Sequence, residues 1–399
     1  MDAYVLDWLQ LIFRWLHVIT GVAWIGASFY FVWLDNHLEE PPVWKKDKGI
    51  KGDLWAIHGG GIYEVGKYQH APEKMPETLH WFKWEAYTTW LTGMVLMILM
   101  YYIGAEAYLI DPRVAELSKW QAISIGVGAL VLGWVLYEVL CASPLSSNGY
   151  AVGAGLLIFA VIFAYGFTHL FSGRGAFIHM GAVIGTIMAG NVFRVIIPSQ
   201  KALVAAIDSG TAPDPAWGAK AKLRSTHNNY LTLPLLFIMI SNHYPMTYAH
   251  SHNWLVLLAI IAITAFARHY FNLAHRGIKR PSILVASSVA AGVLAWVIMP
   301  RPVSTPESAQ PVAVNVVEVQ TILTTHCASC HAESPTDDVF QVAPGGVIIE
   351  SLADMQQWAQ RIKARSVDSH DMPFLNKTGM TDEERALVGA WVDAGAPGA

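Results

Sequence analysis

Cys327-Ala328-Ser329-Cys330-His331 is the stretch on which the reading of this chain turns. Its spacing is C-x-x-C-H, in which two thiols bond the two vinyl groups of one porphyrin and the next imidazole ligates the iron. A zinc site would need two more suitable ligands, and only one other cysteine, Cys141, exists in the chain. A redox dithiol of thioredoxin type would sit in a βαβ pattern, which is absent. Covalent haem c is therefore the first expectation, with Cys327, Cys330 and His331 as its attachment set.

Working outward, the second axial ligand should be a Met thioether, which raises the reduction potential. Met355, Met372 and Met380 lie downstream. The periodicity around Met355, between Leu352 and Lys363, reads as a helix with Met355 in its core. Met372 precedes Pro373, which biases it towards an extended loop, so Met372 is the expected ligand and Met380 the alternative. Thr381-Asp382-Glu383-Glu384 reads as a capping box, opening a helix with the apolar stripe Leu387, Val388, Trp391 and Val392. That order of parts resembles a class I cytochrome c domain over residues 312–399. His326 and His370 read as surface or haem-edge residues.

Residues 1–300 are of another kind. The chain is 54% hydrophobic and 14% charged, and its apolar residues fall in runs of bilayer-crossing length. Eight spans are expected, at roughly 8–34, 82–106, 119–141, 150–172, 175–198, 228–245, 252–274 and 281–300. Residues 301–311 read as a Pro-rich tether. The fold class is all-α: a polytopic membrane helix bundle, with a weak 4+4 internal repeat, followed by the cytochrome c-like domain.

The expected location is a bacterial inner membrane. Haem is attached to c-type cytochromes outside the cytoplasm, so the C-terminus should be periplasmic, and eight spans put the N-terminus there too. Lysine and arginine concentrate in the expected inner loops 35–81, 199–227 and 275–280, as the positive-inside rule requires. Met1 to Asp7 holds no basic residue, so the first span is expected to be retained rather than cleaved. A net charge of −4 with no basic domain argues against nucleic acid as a partner.

Ionisable side chains inside hydrocarbon are costly and mark function. His17 and His179 both fall in the outer half of their spans and are candidate ligands of a second, b-type haem; the alternative is a pair of structural histidines. A second cluster lies near the inner face. It comprises His80 to Glu85, Asn191 and Arg194, and His227-Asn228-Asn229-Tyr230. Glu85, His227, Asn228, Asn229 and Arg194 supply acid–base groups, amides and a cation suited to a flat, anionic heterocycle. The alternative is ordinary interfacial anchoring.

Three stretches, Arg14–Tyr30, Lys83–Trp90 and Thr226–Pro234, resemble the bacterial membrane-bound urate oxidases, integral membrane proteins with a C-terminal cytochrome c domain. The resemblance extends over the whole chain. It implies two-electron oxidation of urate to 5-hydroxyisourate, with electrons leaving through the c-type haem to a cytochrome c or terminal oxidase of the respiratory chain. The segment from His17 to Gly26 also resembles, more distantly, small His-bearing membrane bundles, some of which bind b-type haem. Two rival readings stand beside it: a membrane-anchored electron carrier without catalysis, and a haem or metal transporter.

Overall fold

The structure, a computed structural model, describes residues 3–72, 74–274, 276–299, 315–340, 342–368, 370 and 372–398. The expected tether at 301–311 lies outside the described residues. Nothing but a helix satisfies the backbone of a long apolar run from within, and the principal helices are α1 (Ala3–His37), α2 (Trp84–Met97), α3 (Lys119–Ala142), α4 (Gly149–Thr168), α5 (Gly173–Gly190), α6 (Ile197–Asp208), α7 (Pro215–Ser241), α8 (Asn253–Ala274) and α9 (Ser282–Val297). A π-helical turn, Asn191–Ile196, joins α5 to α6 in one continuous rod, and another, Ile98–Ile103, extends α2.

Among the described residues, six of these segments are helices long and apolar enough to cross a membrane: Tyr4–His37, Trp84–Ile103, Lys119–Ala142, Gly149–Thr168, Gly173–Asp208 and Asn253–Ala274. The other two expected spans are helical but differ in kind. The sixth is the second half of α7, whose first half carries Lys220, Lys222 and Arg224 and keeps the helix too polar overall. The eighth is α9, at 16 residues a little short. The expected inner loop 199–227 is mostly helix, because α6 runs on to Asp208 and Asp214 caps α7, with Pro215 at its first position.

The rod α5–α6 is the centre of the bundle. It packs on α2, α3, α4 and α7, while α1 leans on α2 and turns Trp15 and Val22 outward. Between apolar helices association rests on close packing, which small residues permit. A Cβ at Gly133 would lie 2.6 Å from Val183, one at Gly181 2.6 Å from Ile238, and one at Gly190 2.4 Å from Trp134. These glycines let α3 and α7 approach α5.

The structure corrects the all-α expectation in the loop 35–81. Strands β1 (Ile50–His58) and β2 (Gly61–Tyr68) pair antiparallel, with His58 opposite Gly61. The turn between them is Gly59-Gly60, with φ of +58° and +81°. A two-residue hairpin turn of type I′ needs positive φ at both positions, which glycine adopts without strain. The ammonium of Lys45 is buried against Asp53 at 2.5 Å and also meets Glu64, anchoring the hairpin to the segment before it.

The C-terminal unit has its own core. Helices α10 (Val316–Cys327), α11 (Leu352–Ile362) and α12 (Asp382–Asp393) bury Leu323, Met355, Val388 and Trp391 together. Both α11 and α12 open on a complete capping box, Ser351 with Asp354 and Thr381 with Glu384. Met355 sits in the core and the stripe of α12 faces inward, as its periodicity requires.

Candidate functional site

Among the described residues, two of the cavities lie at opposite ends of the bundle. The larger, about 940 Å³, lies between the bundle and the C-terminal unit. Cys327, Cys330, His331 and Met372 line it from one side, and Tyr108, Arg174 and His243 from the other. Phe374 touches Tyr108 across the boundary, ring centroids 5.9 Å apart.

The order of α10 explains the first three. The helix ends at Cys327, and the turn that follows brings Cys330 and His331 back beneath its last carbonyls, with His331 N–H donating to Cys327 O at 2.8 Å. Burial, with Cys330 beside it, pushes the Cys327 thiol up to about 12, and burial raises Cys330 as well. His331 Nδ1 donates to Val347 O at 3.0 Å. That bond fixes the tautomer in which Nε2 carries a lone pair, as an iron ligand must.

Met372 reaches the cavity from a loop held at both backbone groups. Its N–H donates to Arg365 O at 3.0 Å and its carbonyl accepts from Arg385 Nη1 at 2.7 Å. Met380 is packed in the core. Of the two downstream candidates, only Met372 lines the cavity. Two thiols, one correctly oriented imidazole and one thioether around a space of this size fit a covalently attached haem. His326 is buried rather than on the surface: it bonds Thr378 Oγ1 at 2.8 Å and lies 3.3 Å from Glu384. It still borders the cavity, as does exposed His370.

The membrane-haem expectation fares differently. His17 Nδ1 bonds Thr89 O at 2.9 Å and Thr92 Oγ1 at 3.1 Å, both on α2. His179 is fully buried and donates from Nδ1 to Gly175 O at 2.8 Å. Its Nε2 abuts α3, where a Cβ on Gly126 would lie 2.6 Å away. That Nε2 is buried and has no hydrogen-bond partner among the described residues. His17 thus bonds α2 while His179 faces α3, and neither lines the two cavities.

The second cavity, about 500 Å³, is lined by Trp24, Ser28, Trp81, Gln200, Ser225 and Asn228 among others. Behind it lies a buried polar network. Asn191, with no exposure, donates through Nδ2 to Tyr137 Oη at 2.9 Å and to Asn228 Oδ1 at 2.8 Å. Asn228 Nδ2 donates to Met188 O at 2.9 Å. Arg224 pairs with Glu138 at 2.8 Å and donates to Asn191 Oδ1 at 3.3 Å. Tyr137 Oη also meets His227 Nδ1 at 2.9 Å.

The sequence-derived cluster is thus divided. Adjacent residues on a helix point about 100° apart, so Asn228 faces α5 while Asn229 faces α8 and accepts from Arg268 Nε at 2.8 Å. His227 joins the network but does not line the cavity. Glu85 stands apart in the first turn of α2, its buried Oε2 without a hydrogen-bond partner among the described residues. Arg194 is exposed on the π turn. Sequence reasoning missed Gln200, Tyr137, Glu138 and Arg224. Glu138 was the findable one, a lone carboxylate inside an otherwise apolar span.

A helical protein with membrane-length apolar helices and a buried polar site is the class this architecture defines. Residues 3–299 match the family described as Urate oxidase N-terminal, and the chain belongs to that family. Neither curated proteins nor solved structures give a match. The matched region covers the bundle and stops before the C-terminal unit.

Proposed function

We propose that the chain is a membrane-bound oxidoreductase of the bacterial inner membrane, which oxidises urate to 5-hydroxyisourate and delivers electrons through a covalent haem c to a respiratory acceptor. Eight spans, with the N-terminus and the C-terminal cytochrome c-like unit on the periplasmic side, complete this reading. The observation that carries it is the joint lining of one cavity by Cys327, Cys330, His331 and Met372 in a chain of this family. His331 and Met372 would hold a haem there, and when bound it would supply a one-electron acceptor of high potential.

The overall conversion adds water to urate and releases two protons and two electrons. In this reading urate binds in the cavity at Asn228. The bonds from Asn191 to Asn228 and from Asn228 to Met188 fix which way the amide points, so it meets the heterocycle's donors and acceptors without first reorganising. Trp24 and Trp81 offer aromatic faces to a flat ring. Gln200 adds a second amide.

The other residues hold the exit end. His331 is oriented by Val347, and Met372 by Arg365 and Arg385. Arg174 and Met188, at the two cavities, stand 14 residues apart on α5, about 21 Å at 1.5 Å per residue. Tyr101, Tyr102 and Phe171 pack around His179 along that stretch.

The test is anaerobic. Urate is added to the oxidised, detergent-purified protein while the reduced haem α-band is followed. Stoichiometric growth of the band is expected. A flat trace, with normal reduction by ascorbate, would replace this reading with that of an electron carrier.

A further inference from the structure

We infer that Arg174, a residue of the helix bundle, is the counter-ion of a carboxylate on the haem attached to the C-terminal unit, so that both parts of the chain grip one cofactor. This rests on the haem reading above and adds to it a site in the bundle.

The argument starts from charge. Arg174 lies in the first turn of α5 and lines the cavity shared with Cys327 and His331. Its Nε is buried and has no hydrogen-bond partner among the described residues. One Nη2 bond, to Asn242 O, is long at 3.3 Å. The guanidinium lies over the Tyr108 ring, 5.6 Å from its centroid, which restricts the direction in which its fork points.

Among the described residues no carboxylate pairs with it. Among the described residues two acidic side chains border the cavity, and both are committed. Asp111 takes Arg113 through two bonds, at 2.9 and 2.7 Å. Asp337 takes Lys377 at 2.7 Å and the N–H groups of Val339 and Phe340. A buried guanidinium donor left unpaired is costly, and a planar fork suits a carboxylate. A haem carries two carboxylates, and its attachment residues stand on the opposite wall.

The experiment uses the full chain, with Arg174→Gln and Arg174→Lys. Covalent haem is measured by pyridine haemochrome, the midpoint potential by equilibrium titration, and the propionate bending mode by resonance Raman. A cation beside a haem carboxylate disfavours the ferric form, so Arg174→Gln should lower the midpoint. The expected shift is about tenfold in the reduction equilibrium, about 59 mV for one electron. It should also move the propionate mode while haem content is kept. Arg174→Lys keeps the charge and should fall less. Unchanged midpoints and Raman modes in both variants overturn the inference and leave the haem reading intact. A wild-type midpoint that moves with added sodium acetate, an effect lost in Arg174→Gln, assigns the site to a free carboxylate and also overturns it. Wild-type protein without covalent haem overturns both readings.

Discussion

Arg385 and Met372 are joined by a hydrogen bond of 2.7 Å from guanidinium to backbone carbonyl, and the same buried side chain also binds Ser366 O and, at 3.1 Å, Asn376 Oδ1. One cation of α12 therefore gathers three points of the loop that carries the candidate axial ligand. Replacing Arg385 by Ala leaves buried acceptors without a donor, at a cost of about 1–3 kcal/mol each. The Arg385→Ala protein should lose the Met-to-iron charge-transfer band before it loses covalent haem, as read in the oxidised visible spectrum. A band of full intensity would refute that role for Arg385.

Met372 and Met380 should separate cleanly. Met372→Ala should retain covalent haem but lower its potential, because the thioether that raises it is gone. Met380→Ala should leave the spectrum alone and destabilise the C-terminal unit by about 2–5 kcal/mol, the range for emptying a core methionine. Denaturant melts followed at the haem band distinguish the two.

Asn191 and Asn228 are expected to act as one unit. Asn228→Ala should cut urate-driven haem reduction about tenfold or more, with ascorbate reduction unchanged. Asn191→Ala should produce a similar loss although it does not line the cavity, because Asn228 Oδ1 loses its donor. The double variant should fall little further, since residues sharing a network are not additive. Fully additive losses would show that Asn191 acts independently of Asn228.

Acid should loosen the C-terminal unit in a definable window. The Thr381 N–H, and then His326, hold the Glu384 carboxyl below its ordinary 4.5; the Ser351 hydroxyl and N–H do the same to Asp354, below its ordinary 3.8. A carboxylate with a depressed folded value gives stability above the unfolded value and loses it as pH falls through the folded one. Stability should therefore be level above about pH 5 and decline below about pH 4.5. Glu384→Gln should flatten part of that decline in melts at graded pH.

Gly126→Ala puts a methyl 2.6 Å from His179 Nε2, in the middle of a fully buried contact. Overpacking of this kind costs about 1–3 kcal/mol. The variant should accumulate less in membranes and melt earlier. Wild-type stability would mean that α3 can shift away from α5 freely.

Much of this was legible from residue order. C-x-x-C-H, the Met-Pro loop and the Thr381 capping box are local signals: the box opens α12, and Cys327, Cys330, His331 and Met372 line one cavity. Apolar run length located the helices, but α7 mixes a polar half with an apolar half, so neither its start nor its place in the bundle could be read from hydrophobicity. The hairpin at 50–68 was missed because its only strong signal is the glycine run at 59–61, inside a lysine-rich segment read as a loop. The site was half legible. Residue types drew attention to His227, Asn228 and Asn229, but which of these adjacent residues share a wall depends on helix rotation, and the partners Glu138 and Gln200 come from distant segments.

The π turn between α5 and α6 has a consequence for how such a site can evolve. Met188, Val192, Ile196, Gln200 and Val204 all border the second cavity, each four positions after the last. On an uninterrupted α-helix every step of four overshoots a full turn by about 40°, so these five would fan out over about 160°. The wider winding of the π turn counteracts that drift and keeps them on one wall. Deleting a single residue between 191 and 196 would swing everything beyond it by about 100°. Gln200 would leave the cavity with no lining side chain altered in kind. What this pocket admits is written in the number of residues in the rod as much as in their identities, so an insertion or deletion there would remodel specificity in one genetic step.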